Sequence, residues 1–424
     1  MSQRTTETER PGSAGPIEGN SPVSTDQLTP TGHVYYDPYD LDINRDPYPT
    51  FRRLRDEAPL YYNERHDFYA VSRYDDVAKG LADRNTFKSG RGNILELIKS
   101  GIEMPPGLVI YEDAPTHAIH RKLVSKMFTP KTVASLEPKI RAFTAACLDP
   151  LVGMDRFDII SEFAAQMPMR VIGMLLGIPE EDQEHIRDRS DANLRVKPGK
   201  AMKFKEKSLV RGGVFAEYLD WRVDNPSDDI MSELLHLEFV DETGTKRRLT
   251  RDEILAYVQV VAGAGNETTT RLIGWMAKVL AEHPDQRREL VADPSLIPNA
   301  VEELLRYEPP APHIGRYVAA DAEFHGQTVP AGSAILFVAG GANRDERVYD
   351  DPDRFDIHRR IPSLLTFGLG AHFCLGAALT RLEGRIALEE MLIRFPDWDV
   401  DLADAEMSPT STVRGWDHLP LVVS

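Results

Sequence analysis

Two short stretches of this chain combine residue types that ordinary packing does not require. The first is residues 367–376, Phe-Gly-Leu-Gly-Ala-His-Phe-Cys-Leu-Gly, where Cys374 follows two glycines and a histidine. The chain has two cysteines, Cys147 and Cys374. That count excludes a disulfide scaffold and any cysteine-rich zinc or iron–sulfur site, so thiol chemistry here falls to a lone sulfur. The glycines let a loop turn sharply and pack closely. A cysteine just ahead of a helix faces free N–H groups and the positive end of the helix dipole, which favour thiolate over thiol. Shielded by Phe367, such a thiolate is a ligand for a soft metal or a haem iron. Cys147 has no such surroundings and reads as a small buried hydrophobe.

The second stretch is residues 262–269, Ala-Gly-Ala-Gly-Asn-Glu-Thr-Thr, inside an otherwise apolar helical pattern. Two glycines in a helix interior cost roughly 1 kcal/mol each relative to alanine. A buried Glu267 is costlier unless paired. Thr268, Thr269 and Thr270 can bond to carbonyls one turn back and loosen the helix. A close helix crossing would explain the glycines. A flat ligand against Ala264 and Gly265, with Glu267 and Thr268 beside it for proton handling, would explain the whole run.

The elements that must position these stretches are legible around them. Thr250 and Glu253 form a capping-box pattern, and the apolar periodicity then continues to His283-Pro284, predicting a helix of about 32 residues, ~48 Å long. An apolar helix is expected from Ala377 to about Phe395. Strands are expected at residues 59–62 with 67–71, at 316–319 and at 334–338. The body is therefore expected to be mainly α with small β-sheets (α+β), a single domain over residues 36–424. Residues 1–35, rich in Ser, Thr, Pro and Gly, are expected to be a disordered tail. They contain no apolar segment typical of a signal peptide, and no stretch reaches the ~18 apolar residues of a membrane span, so a soluble, cytoplasmic protein is expected. With 50 Lys+Arg against 67 Asp+Glu and a net charge of −17, a nucleic-acid partner is not expected.

Residues 367–376 resemble, without a mismatch, the haem-thiolate loop of the cytochrome P450 family, and residues 264–269 resemble that family's oxygen-activating helix. Glu303 and Arg306 are similar to its Glu-x-x-Arg motif, and the likeness extends over nearly all of the chain after residue 35. The resemblance implies a triangular prism built around the long central helix. It implies haem b, with Cys374 as the axial iron ligand. Phe367, Gly368 and Gly376 would shape the loop, and Ala264 and Gly265 would face the ring. His117 and Arg121, at i and i+4, match the family's His-x-x-x-Arg. With Arg316 and His372 they would hold the haem propionates. Glu303 and Arg306 would be structural, tied to the segment near Arg354-Phe355. Asn266, where the family more often has histidine or an apolar residue, is a mild departure.

The implied activity is a monooxygenase using O2, with Thr268 and Glu267 as the catalytic proton-handling pair. A peroxide-driven peroxygenase and a non-catalytic haem protein are the alternatives. The chain carries no flavin or dinucleotide fingerprint, so electrons must arrive from outside, and a ferredoxin is the expected donor. Residues 114–136 carry Arg121, Lys122, Lys126 and Lys131 and no acid. That run is either a docking face for an acidic ferredoxin or a solvated basic face. A monomer is expected. Substrate contacts are expected from residues 91–111, from Val261 and Ala264, and from residues 311–314 and 411–413. The apolar Ile94, Leu95, Leu97, Ile98, Leu108, Val109 and Ile110 point to a lipophilic substrate such as a terpenoid, steroid or fatty acyl chain.

Overall fold

The computed structural model describes residues 32–183 and 215–423. The expected N-terminal tail lies outside the described residues as far as residue 31. Chain packing is already tight at Tyr36, which is 2% exposed and whose N–H donates to the Tyr61 hydroxyl at 3.1 Å.

The long helix spans Arg251–Glu282, 32 residues. Its start is the reciprocal cap read from the sequence: the Thr250 hydroxyl accepts from the Glu253 N–H, and the Glu253 carboxylate accepts from the Thr250 N–H at 2.7 Å. Its end is fixed by Pro284, with His283 turned back onto the Val279 carbonyl at 2.8 Å. The helix is lined with buried side chains over most of its length. That follows from an apolar pattern covering more than one face, which needs neighbours on several sides.

Those neighbours carry the rest of the site. Helix Gln166–Leu176 packs on one side of the central helix, and helix Ala377–Arg394 on another. Helix Ile297–Tyr307 packs on both the central helix and Ala377–Arg394. Helix Thr116–Ser125 stands nearby.

The sheets are small and peripheral. The largest has five strands, in the order Leu60–Asn63, Phe68–Val71, Ala334–Phe337, Ile314–Val318 and Phe87–Lys88. Ala334–Phe337 runs parallel to Phe68–Val71 and antiparallel to Ile314–Val318, with Ile335 opposite Arg316. The expected strands are all present, the third starting two residues earlier than read, at Ile314. Among the described residues no helix is long and apolar enough to cross a membrane.

Candidate active site

Cys374 lies in the loop that enters helix Ala377–Arg394. The loop is closed by the Cys374 N–H donating to the Phe367 carbonyl at 2.8 Å. Gly368 and Gly370 have φ of +69° and +72°, where a side chain would be strained, and a Cβ on Gly370 would also crowd the backbone of Leu81 and Ala82 at 3.2 Å. Phe367 is buried, with the Arg381 guanidinium 4.5 Å from its ring centre. Cys374 borders a cavity of about 280 Å³.

The helix-terminus argument for a thiolate is outweighed in the protein alone. Burial pushes the Cys374 thiol up, against the lowering effects of the Gly376 and Ala377 N–H groups and of Arg121 and Arg381. Desolvation of an anion exceeds what partial helix charges return, so a bound cation is what would hold this sulfur ionised.

Across the cavity runs the central helix, presenting Val261, Ala264, Gly265 and Thr268. The close-crossing reading of the glycines is met at Gly265, and the same residue lines the cavity. A Cβ on Gly265 would stand 2.5 Å from Ile172 Cδ1, so the residue also permits a close crossing with helix Gln166–Leu176. Thr268 and Thr270 donate to the carbonyls of Ala264 and Asn266 at 2.8 and 3.0 Å without interrupting the helix.

Glu267 does not line the cavity. It is buried one step around the helix, its Oε1 3.3 Å from the Arg271 guanidinium, which also reaches Asp417 at 3.0 Å and the Trp416 carbonyl. The acid and the alcohol read as a pair in sequence thus face different surroundings, because neighbouring helix positions are ~100° apart.

The cavity instead holds an acid the sequence reading passed over. Glu383, on helix Ala377–Arg394, is 1% exposed and accepts from the Thr269 hydroxyl at 3.4 Å. Burial pushes its carboxyl up to about 8, so it holds a proton at neutral pH. Three charged residues along an apolar helix, Arg381, Glu383 and Arg385, do not reveal which one turns inward. The signal that finds Glu383 is tertiary.

One edge of the cavity gathers cations and imidazoles. Arg121, Arg316 and His372 line it, and His117 joins Arg121 and His372 in an adjoining cleft of about 200 Å³. The His117 and His372 rings stack with centroids 3.9 Å apart. Burial, then the neighbouring cations, push His372 down to about 3 and lower His117 too, leaving both neutral. Arg121 donates to the Phe373 carbonyl at 2.5 Å. Among the described residues His117 Nε2 is buried without a hydrogen-bond partner, and the Arg316 guanidinium makes one bond, to the Gly315 carbonyl at 2.8 Å. Buried donors with so few acceptors suit an anionic ligand. A flat Ala-Gly face, a thiol in the wall opposite and an anion-seeking edge together fit a haem and its propionates.

Glu303 and Arg306 lie outside the cavity. Both are 0% exposed and joined by two bonds of 2.7 and 2.8 Å. Arg306 also reaches the carbonyls of Asn343, Pro352 and Arg354, while Glu303 accepts from the Asp356 N–H and Arg359. The pair ties helix Ile297–Tyr307 to the segment that leads into the cysteine loop.

The expected substrate contacts need correction. Of residues 91–111, Asn93, Val109 and Ile110 reach the cavity. Leu95 and Ile98 pack into a separate apolar core beside the five-stranded sheet. Residues 411–413 are also elsewhere, with the Ser411 hydroxyl donating to Glu96 at 3.1 Å. Pro310, Ala311 and Ile314 do line the cavity, as do Phe128, Ile172 and Leu305. A larger, polar cleft of about 840 Å³ opens further along the central helix at Trp275 and Lys278. Its buried Arg344 and Arg414 are engaged by Glu308, Asp353 and backbone carbonyls.

Comparison with known proteins agrees with this geometry. The family model for Cytochrome P450 matches residues 157–414. A Mycobacterium tuberculosis protein assigned as cytochrome P450 123 is 40% identical over 392 residues, 91% of this chain and 96% of the relative. The Vitamin D(3) 25-hydroxylase of Pseudonocardia autotrophica is 34% identical, covering 93% of this chain and 98% of its own. The solved structure of cytochrome P450 CYP109Q5 from Chondromyces apiculatus superposes with a TM-score of 0.81 at 37% identity, over 92% of this chain and 98% of that one.

Proposed function

Since this chain belongs to the cytochrome P450 family of haem-dependent monooxygenases, we propose that it hydroxylates a small lipophilic substrate at a C–H bond, using O2 and electrons from a ferredoxin. The observation that carries the reading is the placement of Cys374 in the wall of a cavity whose far side is Ala264, Gly265 and Thr268 and whose edge is Arg121, Arg316 and His372.

In this proposal the group is haem b. Cys374 Sγ would hold the iron, and Arg121, Arg316, His117 and His372 would receive the propionates. When bound, the haem supplies the oxygen-activating chemistry, favoured by electron donation from a thiolate. The chain's own part is to bind, orient and move protons. The Thr268 hydroxyl, anchored on the Ala264 carbonyl, is the proton-handling group at the cavity surface. Glu383 keeps a proton within the same cavity. Glu267, engaged by Arg271 and through it linked to Asp417, would connect this region with the partly exposed edge at Asp417.

The wall of Val109, Ile110, Phe128, Ile172, Val261 and Ile314 is apolar, which excludes water and favours a lipophilic substrate. The named activity of the Pseudonocardia relative on vitamin D(3) is in keeping with that class. For the redox partner, Lys122, Lys126 and Lys131 are exposed and have no acidic partner among the described residues. They offer an acidic ferredoxin a steering field in a chain of charge −17. The reading further includes a monomeric, cytoplasmic protein.

The test is the spectrum of the reduced protein under carbon monoxide. A red-shifted thiolate band is expected, lost in Cys374→Ser and kept in Cys147→Ser. A globin-like band in the parent protein would sink the assignment. Thr268→Ala should divert electrons to peroxide, and unchanged coupling would remove its proton role. Turnover with peroxide but not with reduced ferredoxin would replace the O2-dependent reading by the peroxygenase one.

A further inference from the structure

Two of the cavity's apolar wall residues, Val109 and Ile110, sit on a short segment whose regular structure is one 3-10 turn, Val109–Tyr111. Such a wall needs an anchor, and the structure supplies one at Glu112. This carboxylate is buried. Its Oε1 accepts from the Gly107 N–H at 2.9 Å, which closes residues 107–112 on themselves. Its two oxygens lie 2.8 and 2.9 Å from Nδ1 of His120 on helix Thr116–Ser125. Here Nδ1–H donates and the carboxylate oxygens accept.

The other side of the segment is held by shape. Gly107 has φ +93°, and a Cβ there would lie 2.7 Å from the carbonyl oxygen and 2.8 Å from the Cα of Glu253 on the central helix. The segment is therefore gripped between two helices, one by contact and one by the Glu112–His120 pair. His120 is 1% exposed and flanked edge-on by Phe239 and Tyr257, with ring centroids at 5.8 and 5.7 Å. Glu112 has little water to fall back on there. Separating the pair would leave the imidazole buried without a partner and the carboxylate with the Gly107 N–H alone, so the pair holds as a unit.

We propose that Glu112 and His120 form a latch that positions Val109 and Ile110 and so sets which substrates the cavity accepts. They are positioning residues and touch no reacting group. The inference rests on the cavity being the substrate site of a haem enzyme, and adds a specificity device to it.

The test compares Glu112→Leu, which removes the acceptor, His120→Leu, their double variant and His120→Gln, which can still donate to Glu112, in the haem-loaded protein. Each is titrated spectrally with imidazole and with 4-phenylimidazole, whose extra ring must pack against the cavity wall. Hydrogen exchange is followed over residues 104–112. Loss of the latch should weaken 4-phenylimidazole binding about tenfold and leave imidazole within about twofold. It should speed exchange at residues 107–111 about tenfold or more, with the central helix unchanged. The double variant should be no worse than either single one, and His120→Gln should retain the parent's ligand ratio. Equal losses for both ligands, exchange raised across the whole chain, or no change in Glu112→Leu would each overturn the latch. Failure of the parent to bind 4-phenylimidazole at all would instead overturn the reading of the cavity, and the latch with it.

Discussion

Arg306 and Arg316 are both buried, a short way apart in sequence, and their guanidinium groups have opposite surroundings. Arg306 has acceptors for all five of its N–H groups: two Glu303 oxygens and the carbonyls of Asn343, Pro352 and Arg354. Arg316 bonds to the Gly315 carbonyl, and burial pushes it down to about 10. The carboxylates repeat the contrast. Glu303 accepts from Arg306, Arg359 and the Asp356 N–H, while Glu383 has the Thr269 hydroxyl and is pushed up to about 8. A buried ion with every bond made is a fastener. A buried ionisable group with bonds to spare is costly until something else arrives. The first kind lies behind the cysteine loop, and the second lines the cavity. That difference separates what builds the site from what the site uses.

The largest expected effect breaks the saturated side. Arg306→Leu leaves Glu303 buried with its principal counter-charge gone and should cost ~3–5 kcal/mol of stability. It should be seen as a lowered thermal midpoint and loss of haem incorporation. Arg306→Lys should recover little, because an ammonium cannot reproduce the planar fork. An unchanged midpoint would show that the network does not fasten the fold.

Arg316→Leu should behave in the opposite way. The apoprotein should be as stable as the parent or more so, since a poorly partnered buried cation is removed. Haem retention, measured by transfer to an excess acceptor protein, should weaken ~10–100-fold through the loss of one charge-assisted contact worth ~1.5–3 kcal/mol. A destabilised apoprotein with unaltered haem retention would erase the contrast with Arg306.

Glu383 sharpens it through pH. In the unfolded chain the carboxyl ionises near its ordinary value of ~4.3. In the fold it keeps its proton up to about 8. The folded state binds more protons between those values, so stability is greatest at the acidic end and falls as pH rises towards 8. The slope is up to ~1.4 kcal/mol per pH unit. Thermal midpoints measured from pH 5 to pH 8 should fall less steeply in Glu383→Gln than in the parent. Parallel slopes would mean that the carboxyl ionises freely.

The smallest effect is expected at the second cysteine. Cys147 is 7% exposed in the main apolar core, where burial pushes its thiol up. Cys147→Ala should cost ~1 kcal/mol through the lost sulfur contacts and leave the haem spectrum unaltered. A changed spectrum would show that the two cysteines are less separate than their surroundings suggest.

Local signals carried far in this chain. The Thr250–Glu253 cap, the stop at Pro284, the pairing of Leu60–Asn63 with Phe68–Val71 and the glycine-flanked Cys374 depend on interactions within a few residues, and the structure has each where the residues imply it. Side-chain direction did not carry as well. Glu267 adjoins Thr268 in sequence yet turns to Arg271. Leu95 and Ile98 share a stretch with Val109 and Ile110, yet pack into another core. Apolarity states that a residue is buried and leaves open against what.

By itself, then, the sequence determined the central helix, the short strands and the lone sulfur ahead of a helix, because caps, glycines and periodicity act over short distances. The tertiary structure decided which buried groups are satisfied. Arg306 is a fastener because backbone carbonyls from residues 343–354 fold onto it. Glu383 stays protonated because little but Thr269 reaches it, and Glu112 becomes an anchor because His120 comes within 2.8 Å. Whether a charge is partnered depends on what long-range packing brings to it, and residue types along the chain do not encode that distance.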